Sequence, residues 1–96
     1  MENCCKKQTI RSDKERKDLI TRINRITGQL NGIKNMIEEN RYCDDILIQL
    51  SAVNSSVKSL ANCMLTHHLS GCVVNEIKNG NNQIIDEVIN LVKRFQ

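Results

Sequence analysis

A cysteine, a histidine and a second cysteine are the residues of this sequence whose types and spacing could bind a metal ion. His68 and Cys72 lie four positions apart in a segment with a helical pattern, so they share one helix face. An imidazole nitrogen and a thiolate sulfur on one face can bind one ion together, and thiolates favour soft metals such as Cu(I). Cys43 could supply a second sulfur. These residues predict a metal site of two sulfurs and one nitrogen.

The segment between Cys43 and His68 determines how such a site could close. Its apolar residues recur in alternating steps of four and three, the spacing of a helix that packs along another helix. These residues are Ile46, Leu50, Val53, Val57, Leu60 and Met64. Because the segment holds neither proline nor glycine, we expect one unbroken helix, in which 25 residues separate Cys43 from His68 by roughly 37 Å. One protomer therefore cannot close the site, and we expect an antiparallel second copy to bring its Cys43 to His68 and Cys72.

Two further helices are predicted, one on each side of this segment. Ser12 and Glu15 form a capping box at the start of the first, and apolar residues with the same alternating spacing follow. They are Leu19, Ile23, Ile26, Leu30, Ile33 and Ile37. A turn signal at 79–82 precedes a helix over about 83–95, and its predicted inward residues are Ile84, Ile85, Val88, Val92 and Phe95. We expect an all-α fold with a flexible tail over 1–11 and one domain over 12–96. Because so short a chain cannot cover the apolar surface of so long a helix, we also expect the protein to form oligomers.

Charge is distributed unevenly along the chain. Residues 6–34 hold nine basic and three acidic side chains, a net charge of +6, whereas the remainder holds five basic and eight acidic ones, a net charge of −3. A basic first third predicts a polyanionic partner. Arg22, Arg25 and Gln29 form one polar stripe on the first helix that could contact phosphates or base edges. With one Tyr, one Phe and no Trp, base stacking is a poor explanation for nucleic-acid binding.

The other cysteines and the second histidine are interpreted more simply. No long apolar run or signal-peptide pattern is present, so we expect a cytoplasmic protein without a membrane partner. In the cytoplasm, five cysteines are expected to serve metal or redox chemistry rather than to form disulfides. Cys63 is expected in the core, and Cys4-Cys5 are expected to be incidental thiols of the tail. His67 points about 100° away from His68 and should face solvent. No acid–base pair accompanies a nucleophile, so an enzyme is not expected.

The sequence resembles the CsoR/RcnR (DUF156) family of transcriptional repressors over nearly its whole length, from about residue 13 to residue 95. The stretches that carry the resemblance are 22–33 (RINRITGQLNGI), 36–47 (MIEENRYCDDIL) and 68–73 (HLSGCV). The ligand set of Cys43, His68 and Cys72 resembles that of the copper-sensing branch. The nickel/cobalt branch carries His at position 72, the formaldehyde-sensing branch lacks that cysteine, and the persulfide-sensing branch lacks the histidine. The resemblance therefore implies Cu(I).

The resemblance also implies an assembly and a function. The three-helix protomer would form an antiparallel four-helix-bundle dimer and a dimer of dimers, which binds operator DNA as apo protein and releases it on Cu(I) binding, derepressing copper-resistance genes. Tyr42 and Glu87 would surround the histidine ligand as allosteric residues. Arg22 and Arg25 match DNA-contacting positions of the family, and Lys93 and Arg94 are further candidates.

One residue departs from the pattern of the family, and two other functions stay open. Asn54 stands where the family often has Arg or Gln, which reduces the expectation of DNA contacts from the second helix. A thiol or persulfide redox sensor would use Cys43 and Cys72 of facing chains. A cytosolic copper chaperone or buffer would combine Cys4-Cys5 with the metal site and would not bind DNA.

Overall fold

The computed structural model describes residues 10–95, and all regular structure in that range is helical. The elements in chain order are α1 (Asp13–Glu38), α2 (Cys43–His68), a π-helical turn (Leu69–Val73), α3 (Val74–Lys78) and α4 (Ile84–Arg94). Because α2, the π-helical turn and α3 follow one another without interruption, the fold consists of three helices, the second of them composite. The all-α prediction is confirmed. No helix in this range is both long enough and apolar enough to cross a membrane.

The chain divides into two compact units, and the first is Ser12–Leu60. The Ser12 hydroxyl accepts a hydrogen bond of 3.1 Å from the backbone N–H of Glu15, so α1 begins at the predicted capping box. Leu19, Ile33 and Val53 are the buried apolar residues of this unit. All three belong to the predicted seams, which therefore supply its core.

The end of α1 is fixed by its own backbone. The N–H of Arg41 donates to the carbonyl of Met36 at 2.9 Å, and the N–H of Asn40 donates to the carbonyl of Ile37 at 3.1 Å. Asn40 adopts a positive φ of 57°, as this pattern of helix ending requires. Cys43 opens α2 three residues after the left-handed residue.

The second unit contains the described residues from Ala61 onward together with Ile10 and Arg11. Ile84 is fully buried, and Val73 and Glu76 are buried as well. Gly80, with φ 87°, ends α3 in the same way that Asn40 ends α1: its N–H donates to the carbonyl of Ile77 at 3.0 Å. The predicted turn at 79–82 is confirmed. Residues 1–9 of the predicted tail over 1–11, with Cys4-Cys5, lie outside the described residues, and the predicted division at residue 12 stays a prediction.

Two sequence interpretations need correction. Ile85 and Phe95, predicted to face inward from the last helix, are 46% and 51% exposed. Ile85 follows the buried Ile84 and is rotated by about 100° from it, and Phe95 lies just beyond the last residue of α4. The second correction is the π-helical turn itself, where the pattern predicted ordinary α-helix. Ser70 and Gly71 are weak α-helix formers, which lowers the cost of leaving α-helical geometry there.

Candidate metal centre and DNA-contact residues

Cys43 is the first residue of α2 and is exposed. The helix begins there because the carbonyl of Tyr42 accepts the N–H groups of Asp45 and Ile46, at 3.1 and 3.3 Å. Asp44 and Asp45 place negative charge in the first turn, where the helix dipole favours it. The predicted start of this helix is confirmed. The thiol of Cys43 thus stands at the surface of the first unit, accessible to a partner.

His68 and Cys72 lie on either side of the junction between α2 and the π-helical turn. His68 is the last residue of α2, Cys72 is the fourth residue of the turn, and both are half-buried. A π-helical turn closes hydrogen bonds between residues five apart, so residues four apart remain on one face, as they do in an α-helix. Single π turns inside α-helices often occur at functional sites. The turn thus leaves four-residue spacing between the two predicted donors compatible with one helix face, and it gives Cys72 a local geometry different from that of α2.

His68 also lines a cavity of the second unit. The cavity measures about 300 Å³, and its wall is mainly apolar. The residues that line it are Arg11, Ala61, Met64, Leu65, His68, Leu91 and Phe95. The exposed Phe95 therefore contributes to the surroundings of the histidine, although it does not belong to the buried core.

The described residues of one chain do not form a complete metal site by themselves. Within residues 10–95, no three His, Cys, Asp or Glu side chains come together in a way that could hold a metal ion. Glu87 is half-buried in the first turn of α4, in the same unit as His68, and Tyr42 is 68% exposed beside Cys43. The ligand and allosteric roles assigned to these residues stay predictions. Of the remaining candidates for metal or thiol chemistry, Cys63 is half-buried and His67 is exposed.

The predicted DNA-contact residues differ in how far their side chains are exposed to solvent. Arg22 is half-buried on α1, Arg25 is exposed on the same helix, and Lys93 and Arg94 are exposed in the last turn of α4. Gln29 is half-buried, and its carbonyl oxygen Oε1 is enclosed without a hydrogen-bond partner among the described residues. Its role in base contact stays a prediction.

Arg22 makes two hydrogen bonds within the first unit, one to a residue of α1 and one that links α1 to α2. Its Nε donates to Oδ2 of Asp18 and its Nη1 donates to Oγ of Ser59, each at 3.3 Å. The sequence interpretation missed Ser59, because 37 positions separate it from Arg22 and no local pattern joins them. It also missed Glu76, a buried carboxylate whose partner is Asn81.

Comparison with known proteins shows the family of this chain. Residues 15–94 match the family model of the metal-sensitive transcriptional repressors, and the chain belongs to this family. The resemblance to the CsoR/RcnR repressors is thereby confirmed. Because these proteins act as repressors, the family gives no reason to expect an enzyme.

Individual members of the family are also similar to this chain. It is 43% identical to the copper-sensing transcriptional repressor CsoR of Bacillus subtilis (strain 168) over 86 residues, which cover 88% of this chain and 85% of that protein. The crystal structure of the copper-sensing repressor CsoR with Cu(I) from Geobacillus thermodenitrificans NG80-2 superposes with a TM-score of 0.85 at 34% identity, covering 90% of this chain and 91% of that one. The nickel-responsive transcriptional regulator InrS superposes with a TM-score of 0.73 at 31% identity, covering 91% and 99%.

Proposed function

We propose that this protein is a Cu(I)-sensing transcriptional repressor, which binds operator DNA as apo protein and releases it when Cu(I) binds. The observation that carries the proposal is the donor set of Cys43, His68 and Cys72 in a chain 43% identical to a copper-sensing repressor. Two thiolates and one imidazole suit a soft ion such as Cu(I) better than Ni(II) or Co(II), which accept more nitrogen and oxygen donors. As a regulator of operator DNA, the protein acts in the cytoplasm.

The length of α2 supports a site shared between two chains. Cys43 is the first and His68 the last residue of this 26-residue helix. At a rise of about 1.5 Å per residue, the first and last residues of such a helix lie roughly 37 Å apart along its axis. An antiparallel second copy places the opposite ends of two such helices side by side. Cys43 of each chain then meets His68 and Cys72 of the other, and a dimer holds two equivalent sites.

Exposed apolar side chains support the same pairing. Several seam residues, predicted to pack between helices, are at least 40% exposed in a single chain. They are Ile23, Leu30, Ile37, Leu50, Val57 and Met64. A protein of this size rarely leaves so much apolar side-chain surface in water without a partner. We therefore propose that α1 and α2 pair with those of a second copy in a four-helix bundle, and that two such dimers associate.

DNA binding is assigned to the basic first third of the chain. Arg22 and Arg25 are its central residues, and Gln29, Lys93 and Arg94 are further contacts. Closing the metal site draws the π-helical turn of one chain toward the start of α2 in the other. Glu87 and Tyr42 then respond to the histidine ligand, since ligating histidines usually donate their second N–H to a neighbouring oxygen. By linkage, DNA weakens Cu(I) binding by the same factor by which Cu(I) weakens DNA binding.

Complementation between two inactive variants tests the shared site. Cys43→Ala and Cys72→Ala proteins are unfolded together, refolded as an equal mixture and titrated with Cu(I) against a competing chelator. Random pairing makes half of the dimers mixed, each with one intact site, so roughly a quarter of the wild-type sites should return. His67→Ala, at the exposed neighbouring histidine, is the control and should bind Cu(I) normally. If the mixture binds no more Cu(I) than its parents, the site lies within one chain.

A release experiment separates the proposed function from its rivals. The wild-type apo protein selects its own binding site from a library of random-sequence duplexes, and the selected duplex is labelled. Cu(I), Ni(II) and a persulfide donor are then added separately to the complex. Release by Cu(I) alone supports the proposal. Release by the persulfide donor would instead favour a thiol redox sensor, and failure to select any duplex would favour a copper chaperone or buffer.

A further inference from the structure

We infer that Ser59 of α2 is a positioning residue that holds the Arg22 guanidinium ready for a DNA phosphate or base edge. The inference rests on the proposed DNA-binding function. It starts from the hydrogen bond of 3.3 Å between Nη1 of Arg22 and Oγ of Ser59, which joins α1 to α2 inside the first unit. The sequence predicted DNA contacts mainly from α1, whereas in the structure Ser59 of α2 contacts one of the predicted DNA-contact residues, Arg22.

The guanidinium of Arg22 is held from two directions. Asp18, one helical turn earlier on α1, accepts from Nε, and Ser59 on α2 accepts from Nη1. An arginine carries five N–H donors in a rigid plane, so two of them fix the plane and three remain for a further acceptor. The side chain of Arg22 is 36% exposed, so these donors can be reached from solvent. The group is thus both oriented and accessible.

The chemistry of Ser59 suits a positioning role better than a structural one. Exposed contacts of this kind contribute little to folding stability, because water satisfies the same groups when the contact is absent. A flexible arginine, however, loses rotamer freedom when it binds a phosphate, and a hydrogen bond that orders it beforehand reduces that loss. The serine hydroxyl is uncharged, so unlike Asp18 it orients the guanidinium without neutralising it.

A salt series separates positioning from direct contact. The full-length apo protein is titrated against the labelled duplex selected by the wild type, at several salt concentrations. Ser59→Ala should weaken binding about two- to tenfold and leave the slope of log affinity against log salt unchanged, because no phosphate contact is lost. Arg22→Ala should weaken binding further and reduce that slope by about one. Ser59→Thr, which keeps a hydroxyl, should restore most of the affinity.

A double variant and a control serine test whether Ser59 acts through Arg22. In the Arg22→Ala background, Ser59→Ala should have no further effect, since the group that it positions is gone. Ser55→Ala, at another exposed serine on the same face of α2, should bind DNA like the wild type. The melting temperature and Cu(I) affinity of Ser59→Ala should match those of Ser55→Ala.

Four other results would contradict the positioning role of Ser59 or the DNA-binding function on which it rests. A reduced salt slope for Ser59→Ala would mean that the serine itself contacts the backbone of DNA. An equal loss of affinity in both backgrounds would mean that Ser59 acts independently of Arg22. If the wild type selects a duplex and Arg22→Ala binds it normally, the inference fails while the proposed function stands. If the wild type selects no duplex, the proposed function fails and the inference fails with it.

Discussion

The side-chain amide of Asn81 donates a hydrogen bond of 2.8 Å to the carboxylate of Glu76, which is only 5% exposed. The same two residues are joined by their backbones, where the N–H of Asn81 donates to the carbonyl of Glu76 at 2.9 Å. This double link closes the end of α3 and leads the chain into the turn before α4. Since Glu76 lies one helical turn after Cys72, the link also supports the segment that carries a proposed metal ligand.

Removing this buried carboxylate should destabilise the protein. Glu76→Ala leaves the amide of Asn81 without its acceptor and should lower the free energy of unfolding by about 1–3 kcal/mol. Urea denaturation of the apo protein at one fixed concentration measures the change. Glu38→Ala, at an exposed carboxylate in the last turn of α1, is the control and should change stability by less than about 0.5 kcal/mol. Equal effects of the two substitutions would show that burial of Glu76 is unimportant.

Two glycine substitutions should have effects of opposite sign. Gly80 has a φ of 87°, so an alanine there is strained although no atom lies within 4 Å of its Cβ, and Gly80→Ala should destabilise the protein by about 1 kcal/mol. Gly28 lies inside α1 with open space around its Cβ, and Gly28→Ala should stabilise the protein by a similar amount, about 1 kcal/mol. Thermal unfolding at matched concentrations compares them. A destabilising Gly28→Ala would indicate that another copy of the chain packs closely against α1.

Substitutions at the proposed metal ligands should separate the affinity for Cu(I) from the release of DNA. Thiolates dominate the binding of a soft ion, so Cys43→Ala or Cys72→Ala should greatly weaken Cu(I) binding and leave a permanent repressor. His68→Ala should keep substantial Cu(I) affinity through the two sulfurs and yet release DNA poorly, because the ring proposed to relay occupancy of the site is missing. Cu(I) affinity by chelator competition and operator affinity with and without Cu(I) measure the two properties separately.

Substitutions at the two residues proposed to surround the histidine ligand should have weaker effects of the same kind as His68→Ala. Tyr42→Phe and Glu87→Ala should bind Cu(I) with nearly wild-type affinity and release the operator incompletely. His67→Ala, next in sequence but exposed, should release it fully. Full release by His68→Ala despite bound Cu(I) would show that sulfur ligation alone drives the switch.

Operator binding should depend steeply on salt. Residues 6–34 carry a net charge of +6, and each neutralised phosphate contributes about 0.9 to the slope of log affinity against log salt. Arg25→Ala should weaken binding and reduce that slope by about one. Lys78→Ala removes an exposed positive charge outside this segment and should leave the slope unchanged. A normal affinity for Arg25→Ala would place the DNA-contact surface elsewhere.

Local signals account for what could be predicted from the sequence. The capping box at Ser12 and the turn around Gly80 depend on neighbouring residues, and both are found where they were expected. The π-helical turn has no periodicity of its own in the sequence, so it could not be distinguished from α-helix. The exposure of Ile85 was missed because two adjacent apolar residues lie about 100° apart on a helix, and the sequence does not show which of them faces the core. Contacts across long separations, such as that between Arg22 and Ser59, leave no local pattern.

The unbroken length of α2 also determines how two bound ions can influence each other. In the proposed antiparallel pair the two sites lie at opposite ends of the paired helices, about one helix length or roughly 37 Å apart. At physiological ionic strength the Debye length is about 8 Å, so the charge of the first ion is screened well before it reaches the second. Any cooperativity between the ions must therefore pass mechanically through helix packing. The magnitude of this cooperativity should not change with salt concentration, although the affinity for DNA should.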